Sequence, residues 1–194
     1  MTLALLRRAL EPARITVIAG CPEAELLASQ IRSGPYRGAL TVLPGVDALP
    51  ALAPSDLLIA SVAVAEQVMA AAAGRDCAGL LVPDGEAADS ERLRSAAEAG
   101  GMRLIGPDSL GLAAPRLGLN ATAVPVQLAA GSVALIAQSN SVAAGILAWA
   151  AQRGIGLSGV VTLGGSADVD IADALDHFTA DPSTRTILLT IDAV

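Results

Sequence analysis

The sequence predicts an α/β fold in which parallel β-α-β units follow one another in two series. Apolar runs of strand length alternate with segments whose apolar residues recur at helical spacing, the pattern of parallel strands covered on both sheet faces. A turn-rich stretch without periodicity, 106–125, divides the chain, and the same alternation resumes after it. The composition, 53% hydrophobic but only 2% aromatic, suits many short aliphatic strands.

The first series reads as strands at 15–19, 39–43, 57–61, 78–82 and 103–105. Helices fall between them at 23–33, 64–73 and 87–99, the last stopped by Gly100 and Gly101. Five strands of this kind make a small nucleotide-binding type of domain. The second series has strands at 132–136, 159–163 and 186–191, with helices at 141–153 and 169–179. Three parallel strands and two helices leave a sheet edge or face bare, because a crossover normally follows such a strand. The expectation is a chain that is part of a longer protein, or that pairs with another chain at that point.

Composition also excludes function classes. High hydrophobicity with 16% charged residues is the reverse of a disordered chain. The net charge is −7, all twelve basic residues are Arg, and Trp149, Tyr36 and Phe178 are the whole aromatic complement. That leaves neither the clustered cations of a phosphate-backbone reader nor a platform for base stacking, so nucleic acid is not an expected partner. Without lysine there is no Schiff-base nucleophile and no P-loop. Cys21 and Cys77 are far apart, without His or Cys neighbours at metal-ligand spacing, so neither a metal nor a disulfide framework is expected. The apolar start, 1–6, is too short for a signal peptide and is followed by Arg7 and Arg8. The longest apolar runs, such as 57–65, fall short of the ~18 residues that span a bilayer. The expected location is the cytoplasm, with no membrane segment.

Four phrases are more specific: LEPARITVIAG at the first strand, GMRLIGPDSLGL at the division, GSVALIAQSNSVAAGILAWAAQRGIG, and VVTLGGSADVDIADALDHFTADPSTRTILLTIDAV. Together they resemble the NDP-forming acyl-CoA synthetases, the superfamily of the succinyl-CoA synthetase α subunit, the ADP-forming acetyl-CoA synthetases and the related module fused to some bacterial protein acetyltransferases. The resemblance implies a Rossmann-like CoA-binding domain, expected over 1–125, followed by the first half of a flavodoxin-like succinyl-CoA ligase-type domain, 126–194. It also implies CoA or an acyl-CoA thioester as ligand. A partner chain or missing C-terminal segment would carry the ATP-grasp parts, and a homo-oligomer stays open beside it.

By that resemblance, CoA would meet the loop Gly20, Cys21 and Pro22, then Pro44 and Gly45, Ser61 and Val62, and Val82 and Pro83 with Asp84. All follow strands, at the carboxyl ends where open α/β sheets bind ligands. The alternative for each is an ordinary βα turn. The first loop departs from the family pattern: only Gly20 remains of its glycines, and Glu23 and Glu25 occupy the first helical turn, where they suit the helix dipole but compete with an anion. An anion would sit at Ser139, Asn140 and Ser141, where a strand runs into a helix N-terminus, and at Gly164 and Gly165; the alternatives are an N-cap and a tight turn. Asn140 stands where the family usually has glycine, and Asp108-Ser109 where it has an Asn-Cys or Asn-Thr type of pair. Asp192 occupies the place of an acidic residue that orients the family's phosphorylated histidine, or is a strand-end turn residue.

His177, the one histidine, is not that phosphorylated residue. In the family that residue lies further along the domain than 194. With Ile171, Leu175 and Phe178 taken as the apolar stripe, His177 falls among polar positions and is expected to be solvated and paired with Asp173. No residue of this chain is therefore expected to be catalytic, beyond the supporting place for Asp192. The functional expectation is a CoA-binding part of an acid–CoA ligase type of protein, divergent and either within a ligase or regulatory. The alternatives are a nicotinamide-dinucleotide-binding oxidoreductase domain, against which the missing G-x-G-x-x-G counts, and an interaction module that has lost its ligand.

Overall fold

The computed structural model describes residues 2–192. It opens with a helix, α1 (Thr2–Leu10), that the sequence reading passed over. The first sheet follows: β1 (Arg14–Ile18), α2 (Pro22–Ser33), β2 (Ala39–Leu43), β3 (Leu57–Ile59), α3 (Ala65–Ala72), β4 (Gly79–Leu81), α4 (Ser90–Gly100) and β5 (Arg103–Ile105). Its five strands are all parallel, in the order β2-β1-β3-β4-β5. The central strands are buried on both faces, which is why they read as unbroken aliphatic runs. Gly101, in the left-handed conformation at φ 69°, ends α4 at the expected stop.

The second sheet comprises β6 (Gly111–Ala114), β7 (Leu119–Thr122), β8 (Ala130–Ala137), β9 (Leu157–Thr162) and β10 (Thr186–Thr190), with α5 (Asn140–Arg153) after β8 and α6 (Ile171–Ala180) after β9. The order is β10-β8-β9-β6-β7; β10, β8 and β9 are parallel, and β6 and β7 are antiparallel additions. The architecture is the expected pair of mainly parallel sheets, Rossmann-like and then flavodoxin-like.

The hairpin β6-β7 is the departure. It lies on the first-domain side of the division expected at 125, yet Leu112 and Ala113 pair with Val161 and Val160 of β9. Two four-residue strands carry too little periodicity to be seen in a turn-rich text. Gly118 turns the hairpin at φ 70°, and a Cβ there would lie 2.5 Å from the Pro35 carbonyl oxygen. The hairpin thus packs against the α2 end of the first sheet.

The two sheets share one apolar core. Ile15, Ile59 and Ile105 of the first join Leu112, Ile136, Leu163 and Phe178 of the second. Along this interface the segment after β9 runs beside β5: Val169 N–H donates to the Leu104 carbonyl, Ala167 to Gly106 and Gly165 to Pro107. Arg103, buried in β5, donates from Nε to Asp168 Oδ2 at 2.8 Å and from Nη2 to Asp173 Oδ2 at 2.6 Å, and the Leu104 amide also donates to Asp168 Oδ2. Burial alone would lower the Arg103 pKa; the hydrogen bonds to the two carboxylates outweigh it and raise it.

Asp173 is therefore engaged by Arg103, and His177 is not solvated: it is 5% exposed. Helix α1, with Leu6, Ala9 and Leu10 buried, packs against α6 and covers that side of it. The imidazole stands edge-on to Phe178 at 4.8 Å, and its Nε2 is 4.0 Å from Glu11 Oε1. Burial holds its pKa below the ordinary 6.5, against the attraction of Glu11 and Asp181 and with the repulsion of Arg7.

Two outcomes follow from this packing. Because a lowered histidine pKa means that the unfolded chain binds the proton more readily, stability is present above the ordinary value and is lost as the pH falls through it toward the folded value. The thermal midpoint is expected to drop from about pH 7 to about pH 5, and His177→Leu to flatten that slope. Arg103→Ala leaves two carboxylates unpaired at the interface and is expected to cost about 3 kcal/mol in urea unfolding. Arg94→Ala, which removes exposed ion pairs on α4, serves as the near-neutral comparison.

Candidate functional site

In the first sheet the strand order reverses between β1 and β3, and their carboxyl ends bound a crevice of the kind that receives ligands in open α/β sheets. Gly20 leaves β1 at φ 134°, a conformation that favours glycine, and a Cβ on it would meet nothing within 4 Å. Gly45, after β2, also borders open space.

The helix that follows Gly20 is already capped. Cys21 Sγ accepts from the Ala24 amide at 3.3 Å, Glu25 N–H donates to the Cys21 carbonyl, and Pro22 has no N–H to offer. Glu23 supplies the one amide of the first three helical residues left for a ligand. Across the crevice, the turn after β3 is held by a residue from the turn after β4. Asp84 Oδ2 accepts from Ser61 Oγ at 2.6 Å, and Oδ1 from the Val62 amide at 2.8 Å. Ser61 Oγ also accepts from the Ala63 amide.

Of the positions expected at the strand ends, the fold brings Gly20, Cys21, Ser61, Val62 and Asp84 to the same crevice. Val82 and Pro83 are not presented to the crevice. Both are buried, and the Val82 carbonyl accepts from the Ser109 amide. Pro44 and Gly45 lie one strand over, beyond β1. Cys21, Glu23 and Asp84 offer ligand atoms within 4.8 Å of one another, a group that linear spacing hides because Asp84 arrives from another strand. Burial pushes the Cys21 thiol pKa up, with Asp84 and Glu23 adding to it, and the Asp84 oxygens are already used. That chemistry favours a protonated thiol over a metal ligand.

The second sheet reverses order between β8 and β10, and α5 begins at that point. Ser139 is the N-cap, its Oγ accepting from the Val142 amide; Ser141 is exposed; and the Asp192 amide donates to Gln138 Oε1 at 2.8 Å. Asn140 does something a glycine could not. Its Oδ1 accepts from the Leu110 amide at 2.9 Å, and its Nδ2 donates to the carbonyl and the Oδ1 of Asp108. Gly164 and Gly165 grip the same loop. A Cβ on Gly164 would lie 2.1 Å from the Asp108 carbonyl oxygen, and the Gly165 amide donates to Pro107. Of the five anion positions expected, the Asn140 side chain, Gly164 and the Gly165 amide engage the loop that joins the two units.

Two cavities lie away from these residues. One of about 760 Å³ opens between the end of α2 and the 115–128 stretch, with Gln30, Asn120 and Leu128 in its lining; the other, about 260 Å³, lies between α1 and α6 with Arg7, Glu11 and His177. Neither is lined by any residue expected to bind a ligand.

Residues 130–194 match the family model for the succinyl-CoA ligase like flavodoxin domain. The matched stretch of the second unit is similar to that flavodoxin-like domain. The α subunit of the ADP-forming acetate–CoA ligase I of Pyrococcus furiosus is 36% identical over 116 residues, 60% of this chain and 25% of that one. The 4-hydroxybutyrate–CoA ligase of Nitrosopumilus maritimus is 30% identical over 93 residues, 47% of this chain and 13% of that one. Among solved structures, the dinucleotide-forming acetyl-coenzyme A synthetase 1 of Ca. Korarchaeum cryptofilum, in complex with phosphate and ADP, superposes with a TM-score of 0.85 at 24% identity, covering 97% of this chain and 46% of that one. The resemblance read from the four phrases holds. The chain spans about a quarter of the Pyrococcus relative and under half of the solved one. Among the described residues, no helix is long and apolar enough to cross a membrane.

Asn140 joins the succinyl-CoA ligase-like domain to the loop that precedes it. Asn140→Ala, which strands the Leu110 amide, is expected to destabilise the protein by about 2 kcal/mol in urea unfolding.

Proposed function

We propose that the chain is the CoA- or acyl-CoA-binding part of an acid–CoA ligase of the NDP-forming type, a divergent member that is regulatory or dependent on further parts for catalysis. The sequence identity to the ligase α subunit carries this reading. The chain from 1 to 125 would be the CoA-binding unit, lending its β6-β7 hairpin to the succinyl-CoA ligase-like unit over 126–194. The ligand would lie over Gly20 and Gly45, where the backbone can be approached closely, with the Glu23 amide at the helix N-terminus. CoA supplies the thiol that an acyl group is transferred to; this chain's own part is to bind and orient it. As folded, the diphosphate does not find a matching set of donors, since Ser61 and Val62 already serve Asp84.

The parts that such a ligase needs beyond these would come from another segment or a partner chain. The bare edge expected of the last strand supports that. Among the described residues β10 is paired only with β8, Leu188 is exposed, and Val142 and Trp149 of α5 are exposed as well. Asp192, just past the same strand, would support a group supplied from there. The nicotinamide reading finds no support, as the relatives are CoA ligases and β2 ends in Leu43-Pro44-Gly45 rather than in an acidic residue.

The test is a thermal-shift series with CoA, acetyl-CoA and NADH. Stabilisation by the two CoA compounds alone is expected, about 2.7 kcal/mol when the ligand stands at a hundred times its Kd. No shift with any of them would favour an interaction module without a ligand, and a shift with NADH alone would overturn the reading.

A further inference from the structure

A carboxylate of the protein itself sits where the crevice has its best anion donors. The turn after β3 points the Ser61 hydroxyl and the Val62 amide at one spot, and both oxygens of Asp84 occupy it, at 2.6 and 2.8 Å. An O–H and an N–H converging on an anion at the carboxyl end of a strand are the contacts by which such crevices hold phosphate. The opposite wall offers an anion only the Glu23 amide. Pro22 brings no N–H, Cys21 Sγ takes the Ala24 amide, and the exposed Glu23 places its carboxylate within 4.8 Å of Asp84 and Cys21.

We propose that Asp84 is the specificity-determining residue of the β1/β3 crevice: it acts as a built-in competitor for the phosphate donors Ser61 and Val62, and so weakens the hold of the crevice on diphosphates, that of CoA included. The proposal rests on reading this crevice as the CoA position. It differs from a general effect of acidity, because Asp84 both brings negative charge and uses up the donors, whereas Glu23 brings only charge. An isosteric amide in place of Asp84 removes the charge and keeps one acceptor oxygen for the two donors, so that at least one of them is free to reorient toward a bound anion.

The experiment is isothermal titration of the full 194-residue chain with inorganic pyrophosphate and, separately, with CoA, for the wild type, Asp84→Asn and Glu23→Gln. Asp84→Asn is expected to bind pyrophosphate and CoA roughly tenfold more tightly than the wild type, or better, as loss of a like charge at close range allows. Glu23→Gln is expected to stay within about threefold of the wild type, its charge being screened by solvent. Should Asp84→Asn fail to fold, Asp84→Ser, whose short hydroxyl cannot span both donors, is read in the same way. The proposal is overturned if pyrophosphate binds the Asp84 variants no more tightly than the wild type, or if Glu23→Gln gains as much as they do. If pyrophosphate responds as expected while CoA binds none of the proteins, the role of Asp84 stands and the CoA reading falls.

Discussion

The rest of this structure depends on one buried cation. Arg103 lies in the last strand of the first sheet, and both of its carboxylate partners, Asp168 and Asp173, come from the second. A guanidinium taken out of water is tolerated only with its charge met and its donors engaged. That condition holds only when the segment after β9 runs alongside β5 in one register. The backbone bonds from Gly165, Ala167 and Val169 follow that register, as does the close approach of Gly164 to Asp108. The two α/β units are thereby one packed body with a common core.

This coupling has a consequence for the residues that the family resemblance singles out. Asn140, Gly164 and Gly165 all act on the 107–110 loop, so positions that read as an anion cradle are spent on the joint. In the first sheet a similar substitution of roles has occurred. The crevice at the reversal of strand order is intact in its backbone, with Gly20 open to solvent, but its polar donors are met from within by Cys21 and Asp84. Fold and local chemistry are separable: the backbone frame of an α/β crevice is kept while the donors at its edge are engaged by the protein's own side chains.

Some of this was legible in the text and some was not, for physical reasons. Strands buried on both faces announce themselves as aliphatic runs, and the β-α alternation and the helix stop at Gly101 follow from local pattern. The β6-β7 hairpin did not, since its strands are short and its pairing partner lies some 50 residues on. Helix α1 is not legible locally because its apolar face has meaning only against distant elements: α6, and β4, where the absence of a side chain on Gly79 lets Ala9 approach. That limit carries over to His177, which reads as solvated as long as the helix that buries it is not recognised.

The sequence by itself determined the α/β class, the order of its units and their resemblance to CoA ligases. These are properties of short-range periodicity and of distinctive phrases. Tertiary structure alone decided which sheet owns the hairpin, that Asp173 serves Arg103 rather than His177, and that Asp84 rather than a ligand holds Ser61 and Val62. Each of these is a competition for a hydrogen-bond or charge partner between residues far apart in the chain, and such competitions are settled only when folding has brought the rivals within about 3 Å of one another.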